Sequence, residues 1–89
     1  MFDLDEQWQI HPQVALRPER FGALLYHFNT RKLSFLKNPT LLRIVQSLGE
    51  QPSARAALLA ADVPENQFDT YRTALATLAT SDMIVKTGK

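Results

Sequence analysis

The chain has 89 residues, of which 45% are hydrophobic and 21% charged, and its formal net charge is +1, which is the composition of one small soluble domain. It contains no cysteine, which excludes disulfides, zinc–thiolate centres, iron–sulfur ligation and a thiol nucleophile. No apolar stretch approaches the ~18 residues that a membrane-spanning helix needs, and the acidic start differs from a basic, apolar signal peptide. We therefore expect a cytoplasmic protein that does not contact membranes.

The first twelve residues are largely polar, and four large apolar side chains among them are mostly two residues apart: Phe2, Leu4, Trp8 and Ile10. They predict an arm over 1–12 that either docks through Trp8 or frays at its end. We expect the folded domain to cover 13–85 and a polar tail to cover 86–89.

Three short strands are predicted next. Residues 14–17 form the first strand, ended by Pro18, which cannot donate a ladder hydrogen bond and so belongs at a strand end or edge. Residues 23–28 are largely apolar on both faces, which is typical of a central strand covered on both sides. After a turn at 29–32, the third strand covers 33–36. This order is a simple meander, so the third strand lies at an exposed edge.

Three helical segments follow. Asn38 is predicted to cap the first helix, which has a proline at its first position, and Gly49 to end it as a C-terminal cap. The second helix covers about 52–61 and the third about 65–81. The apolar run 83–85 is a final short strand or a core anchor. The sequence therefore predicts an α+β fold, a three-stranded antiparallel sheet followed by three helices, similar in shape to a winged helix.

Such a fold suits binding better than catalysis. An exposed edge strand beside a helix can bind an extended peptide by adding it to the sheet. The chain has only three glycines, no glycine-rich phosphate loop and no Ser-His-Asp grouping. The two histidines, His11 and His27, lack a clear third ligand, and His27 is expected to be a satisfied, partly buried histidine. We therefore predict no catalytic residue, no metal and no cofactor.

The charge is distributed unevenly along the chain. Residues 17–43 contain six basic residues and one acid, a local charge of +5 that is either a solvated surface or an attraction for an acidic partner. The alternative function is a winged-helix domain that binds DNA or regulates transcription. In that case 65–81 would be the recognition helix, yet Arg72 is its only base against Glu65 and Asp69. Because DNA binding needs several Lys and Arg side chains, we do not expect nucleic-acid binding.

Several segments together resemble a known family. Leu24-Leu25-Tyr26, a turn, and the stretch 32–38 that leads into a capped helix are similar to the PqqD-like peptide-recognition domains. These domains recognise the precursors of ribosomally made, post-translationally modified peptides. The stretches 15–19, 21–28 and 33–36 resemble one branch more closely, the mycofactocin biosynthesis chaperones. The resemblance covers about residues 8–85.

The resemblance implies a non-enzymatic carrier. Members of the family bind the leader of a precursor peptide as an added strand, beside the third strand and the third helix. They present it to a radical S-adenosylmethionine (radical SAM) maturase, which holds the iron–sulfur clusters. In the mycofactocin branch, that maturase acts on the C-terminal Val-Tyr dipeptide of the precursor. Carried over onto this chain, and joined with two bases of the turn that suit an acidic leader, the candidate peptide-binding residues are Arg31, Lys32, Leu33, Ser34, Phe35, Leu36, Tyr71, Arg72, Leu75 and Ala79.

Overall fold

A computed structural model of the chain describes residues 2–20 and 22–87. Its elements in chain order are β1 Trp8–Ile10, β2 Val14–Glu19, β3 Gly22–His27, β4 Leu33–Leu36, α1 Pro39–Ser47, α2 Ala54–Ala60, α3 Phe68–Thr80 and β5 Ile84–Lys86. Short 3-10 turns follow α1 at Leu48–Glu50 and precede α3 at Glu65–Gln67. The predicted α+β class, with a three-stranded antiparallel sheet followed by three helices, is confirmed, and a two-stranded sheet of β1 and β5 is added to it. Residues 88 and 89 of the predicted tail lie outside the described residues, as does Phe21, which is part of the stretch 21–28 that carries the family resemblance.

The three-stranded sheet has the order β2-β3-β4, so β3 is central, as predicted. Its inward side chains Ala23, Leu25 and His27 are between 0% and 1% exposed and face the helices. The prediction that β3 is covered on both faces is wrong for the part of the chain that the structure describes. Tyr26 on the opposite face is only half-buried, and Phe28 just beyond the strand is 54% exposed. The physical reason is that the helices pack against one face of the sheet alone.

Pro18 lies within β2 rather than at its end. The strand runs to Glu19, and Pro18 is paired with Ala23 of β3. Just beyond the paired strands, the N–H of Phe28 donates to the carbonyl of Gln13 over 2.8 Å. Bonded and non-bonded residues alternate along an antiparallel pair, so every second residue of β2, counted from Gln13, bonds to β3. Pro18 falls between bonded positions, with its nitrogen at the outer edge. The missing N–H therefore costs the sheet no hydrogen bond, which is why the strand continues through it.

Of the two predicted helix caps, the one at Asn38 is confirmed. The Asn38 side chain accepts hydrogen bonds from the N–H groups of Thr40 and Leu41 at the start of α1. Ser53 caps α2 in the same way. The prediction that Gly49 is a C-terminal cap is wrong, since α1 ends at Ser47 and Gly49 lies inside the following 3-10 turn without a positive φ. The chain tightens into a 3-10 turn there, so no left-handed residue is needed.

The N-terminal segment is docked rather than frayed. Phe2 stacks on Trp8 with ring centroids 4.2 Å apart, and both side chains are buried. The indole N–H of Trp8 donates to the carbonyl of Asp3 over 3.0 Å. β1 then pairs antiparallel with β5, from Trp8 opposite Lys86 to Ile10 opposite Ile84. The segment before β2 is therefore part of the hydrophobic core, and it ties the two ends of the described chain together.

The same segment caps a helix. The first N–H groups of α2, those of Ala54 and Arg55, donate to the carbonyls of Glu6 and Leu4 over 3.0 and 2.8 Å. Arg55 also donates to the Asp5 carboxylate over 2.9 Å, and that hydrogen bond together with the carboxylate charge raises the pKa of Arg55 above its ordinary value. An arginine is charged at all ordinary pH values, so this shift adds no pH dependence. None of the described helices is long and apolar enough to cross a membrane.

Candidate functional site

The site is built around the free edge of β4. At the hairpin end the N–H of His27 donates to the carbonyl of Lys32 over 3.0 Å. In an antiparallel pair, bonded and non-bonded residues alternate, so Ser34 and the last residue of the strand also bond to β3. The two residues between these positions, Leu33 and Phe35, therefore direct their N–H and C=O groups away from the sheet. Each presents one donor and one acceptor for a further strand.

The opposite edge of the sheet, formed by β2, is less open. Pro18 has no N–H to offer. The N–H of Val14 donates to the carbonyl of His11 over 2.9 Å and is already used. Only the N–H of Leu16 remains among the outward positions of this strand. Natural sheets block an edge with such devices, so β4 is the edge of this sheet that is left available for pairing.

A side-chain hydrogen bond links the third helix to the end of β4. Asn38 follows the strand and donates from Nδ2 to the Oη of Tyr71 over 3.2 Å. The oxygen of the same amide accepts the N–H groups that begin α1. Asn38 therefore links the end of β4, the start of α1 and the first turns of α3. Tyr71 is half-buried and lies on the side of α3 that faces this link.

The predicted residues of β4 and its turn divide into two groups. The side chains of Leu33 and Phe35 are 61% and 45% exposed, on the face of the sheet away from the helices. Leu36 is 3% exposed and belongs to the core. The two bases of the turn, Arg31 and Lys32, are exposed at the end of the strand, and Arg31 has a positive φ of 65°. The strand positions able to pair with a ligand backbone thus narrow to Leu33 and Phe35.

The predicted residues of α3 differ in their burial and in their neighbours. Leu75 is fully buried, so its side chain packs in the core and offers no contact surface. Arg72 lines a surface depression with Phe2 and the start of α2, and it also donates to Asp69 over 2.7 Å. It is therefore on the side of α3 that the N-terminal segment covers. Ala79 is partly buried against the core. Among these four residues, Tyr71 is placed beside the end of β4 by its hydrogen bond with Asn38.

A second cluster joins the hairpin to the connection between α3 and β5. The Nε2 atoms of His11 and His27 lie 3.7 and 3.5 Å from the Oδ2 of Asp82, and the two rings are 4.5 Å apart. His27 is 1% exposed, and its Nε2 has no hydrogen-bond partner within the described residues by strict geometry. Two imidazoles and one carboxylate are a donor set that suits a divalent cation.

The other ring nitrogens argue against a cation at this cluster. The Nδ1 of His11 accepts the N–H of Gln13 over 2.9 Å, and the Nδ1 of His27 accepts those of Asn29 and Thr30, each over 3.2 Å. A backbone N–H can only donate, so both neutral rings carry their proton on Nε2, the atom that a metal would need unprotonated. The cluster fits better as two N–H groups directed at one carboxylate, a structural contact between the hairpin and Asp82.

Two features of the site were missed at the level of sequence. Asn38 was recognised as a cap, and nothing in the local pattern indicated its bond to a residue 33 positions later. The sequence predicts that both faces of 23–28 are covered, whereas Leu24 and Tyr26 are only half-buried and Phe28 is exposed, because alternation alone does not reveal whether a layer covers a face.

A family model and three curated proteins that resemble this chain all have the same name. Residues 7–85 match the model of the Peptide chaperone MftB family. A Peptide chaperone MftB of Mycobacterium tuberculosis is 57% identical over 84 residues, which cover 94% of this chain and 77% of that protein. Its counterpart in Mycolicibacterium smegmatis is also 57% identical, with 82% of that protein covered. The Mycobacterium ulcerans protein of the same name is 56% identical. No solved structure matches the chain.

Proposed function

The chain belongs to the Peptide chaperone MftB family, and on this premise we propose that it is a peptide-binding chaperone of mycofactocin biosynthesis. It binds the leader of a ribosomally made precursor peptide and presents it to a radical SAM maturase. The expectation of a non-enzymatic protein is confirmed, since the family and its relatives are named as peptide chaperones. The proposal places the protein in the cytoplasm, together with its peptide and its maturase.

The observation that carries the proposal is the open edge of β4. Leu33 and Phe35 direct two N–H and two C=O groups outward, so an extended leader segment can add as a fourth strand. The proposed wall on the other side is α3 near Tyr71, which Asn38 holds beside the end of β4. Ser34 and Leu36 contribute by holding β4 on the sheet rather than by pairing with the ligand. Arg72, Leu75 and Ala79 support α3 without contacting the leader.

Backbone pairing alone gives weak binding. About four hydrogen bonds at roughly 0.5–1.5 kcal/mol net give about 2–6 kcal/mol. A micromolar complex needs about 8 kcal/mol after the cost of ordering the peptide has been met. Burial of an apolar side chain adds about 1.5–3 kcal/mol. The leader is therefore expected to bury apolar side chains against its neighbours on the sheet, of which Phe35 and Leu33 are the most exposed on β4.

The winged-helix alternative finds little support in the structure. A DNA-binding third helix needs several bases free to meet phosphates. The single base of α3, Arg72, donates to the Asp69 carboxylate of the same helix over 2.7 Å. The local charge over α3 is thus neutralised within the helix. Three exposed bases, Arg31, Lys32 and Lys37, lie instead in the turn before β4 and directly after it, where they suit an acidic peptide.

Titration of the cognate precursor peptide into the ¹⁵N-labelled chain tests the proposal. We expect the largest amide shifts at Leu33 and Phe35 and smaller ones around Tyr71, because strand addition gives new acceptors to the outward N–H groups. A peptide with the same composition and a scrambled leader is the control and should leave these amides unmoved. Shifts centred on β2, or no shifts at saturating peptide, would contradict edge pairing at β4.

A further inference from the structure

One face of the three-stranded sheet is apolar although no element of the described chain covers it. We call it the outer sheet face, and its apolar side chains are Ala15, Leu24, Tyr26, Phe28, Leu33 and Phe35. Cross-strand pairing brings them together, since Ala15 is opposite Tyr26 and Tyr26 is opposite Leu33. Tyr26 and Phe28 also contact each other edge to face, with ring centroids 5.2 Å apart.

Such a face is unusual for a solvated sheet. The exposed side of an antiparallel sheet normally alternates to polar residues. Here Phe28, Leu33 and Phe35 remain 54%, 61% and 45% exposed, and they account for three of the four large exposed apolar side chains among the described residues. Contiguous exposed apolar side chains mark an interaction site more often than apolar side chains scattered singly over a surface do.

Charged residues surround this patch. Arg17 shares the face by pairing with Leu24, Lys37 directly follows β4, and Arg31 and Lys32 lie in the turn at one end. Against these four exposed bases stands one exposed acid, Glu19, at the far end of β2. None of the four bases forms an ion pair within residues 2–20 and 22–87. An apolar centre with a charged rim is the anatomy of a protein–protein interface.

We propose that the outer sheet face is the docking surface for a folded protein whose own surface has an apolar centre and an acidic rim, namely the maturase that receives the peptide. This inference rests on the proposed function. The basic rim disfavours a second copy of this chain, because two such faces would bring like charges together. The face is also small. Three strands about 4.8 Å apart, two of six residues and one of four, cover roughly 250 Å², against about 800 Å² per partner in a stable interface.

The small area has a functional consequence. A leader strand added to β4 extends the same sheet by one strand, and its outward side chains lie beside Leu33 and Phe35. The docking surface is then wider by about 4.8 Å, so the maturase contacts chaperone and peptide together. Binding of peptide should therefore strengthen binding of the maturase, and by thermodynamic linkage the maturase should strengthen binding of peptide by the same factor.

The test separates docking from peptide binding by means of Phe28, which is on the outer sheet face but outside β4. The chain with Phe28→Ser is compared with Leu59→Ser, which removes an apolar side chain of similar exposure (60%) on α2. Affinities for the purified maturase are measured with and without precursor peptide, and affinity for the peptide is measured separately. We expect Phe28→Ser to weaken maturase binding five- to tenfold, Arg17→Glu to weaken it further at low salt, and Leu59→Ser to change neither affinity.

Several outcomes would overturn the inference. Maturase affinity unchanged by both Phe28→Ser and Arg17→Glu would show that the enzyme docks elsewhere. A parallel loss of peptide affinity in Phe28→Ser would make the face part of the peptide site. A dimer of the wild-type chain that Phe28→Ser dissociates would identify a second copy as the occupant, and binding to anionic vesicles that this variant abolishes would identify a membrane. If the wild-type chain binds no precursor, the proposed function fails, whereas the maturase measurement without peptide still reports on docking.

Discussion

Asn38 donates a hydrogen bond from Nδ2 to the Oη of Tyr71 over 3.2 Å. The Oδ1 of the same side chain accepts the N–H groups of Thr40 and Leu41, over 2.8 and 3.2 Å. This one side-chain amide therefore accepts hydrogen bonds from the first N–H groups of α1 and connects the end of β4 to α3. The two roles use different atoms, so substitutions can separate them.

We expect Asn38→Ala to lower the free energy of unfolding by about 1–3 kcal/mol, because it removes a cap worth about 0.5–2 kcal/mol and one further hydrogen bond. Asn38→Ser keeps a capping oxygen but is too short to contact Tyr71, and it should cost about 1 kcal/mol or less. Tyr71→Phe should cost a similar small amount. Urea denaturation of the three variants measures these differences. If Asn38→Ser and Tyr71→Phe combined cost the sum of the two single changes, the bond between them contributes nothing.

Gly22 is a position where the backbone leaves no room for a side chain. Its φ is 153°, and a Cβ placed on it would lie 1.9 Å from the carbonyl oxygen of Leu36. We expect Gly22→Ala to destabilise the chain by about 2–4 kcal/mol, because the strained φ and the forced separation of β3 from β4 both cost energy. The matched control is Gly49→Ala, where the nearest atom would be 3.6 Å away and φ is ordinary. That change should stay within about 1 kcal/mol of wild type. Equal melting temperatures for the two variants would contradict the close approach at Gly22.

The elements that sequence reasoning located correctly depend on short-range signals. Asn38 followed by a proline predicts that a helix starts within two residues, and the Asn38 side chain caps α1 at that position. Pro18 was recognised as an edge residue because its missing N–H is an intrinsic property, although the strand runs one residue beyond it. A glycine after a helix suits a left-handed cap, so the sequence predicts one at Gly49, but the chain forms a 3-10 turn there instead.

The features that escaped prediction depend on contacts between distant parts of the chain. β1 pairs with β5, with Trp8 opposite Lys86, and neither three-residue strand has a sequence pattern that indicates its partner. For the candidate site, the helical period of residues 68–80 indicates which face of α3 is apolar, and Phe68, Leu75 and Leu78 on that face are buried. It did not tell which flank of the helix meets β4 and which meets the N-terminal segment. The sequence therefore predicts one peptide-binding group that contains both Tyr71 and Arg72, whereas the structure places Arg72 on the flank of α3 that Phe2 lines.

Edge pairing at β4 leads to a test with a proline. Phe35→Pro removes an outward N–H while leaving the bonds of Ser34 to β3 intact, in the way that Pro18 is accommodated on β2. Phe35→Ala is the matched control, since it removes the ring and keeps the donor. We expect Phe35→Pro to bind the precursor peptide about three- to tenfold more weakly than Phe35→Ala, which is the worth of one net hydrogen bond. Calorimetric titration measures both affinities, with circular dichroism to verify folding. Equal affinities of the two folded variants would exclude Phe35 as a backbone donor.

The basic turn beside β4 leads to a prediction about rates. Arg31 and Lys32 are exposed next to the paired edge, and the surrounding stretch 17–43 carries a local charge of +5. An acidic leader should therefore associate faster at low salt, and raising the ionic strength to about 0.5 M should slow association markedly, because screening then shortens the field to a few Å. Replacing both bases with glutamine should lower the association rate and flatten its salt dependence, with little change in dissociation. Arg43→Gln is the control, since it removes an exposed charge on α1, and stopped-flow fluorescence measures the rates. An association rate that is the same at both salt concentrations would mean that these bases form only a solvated surface.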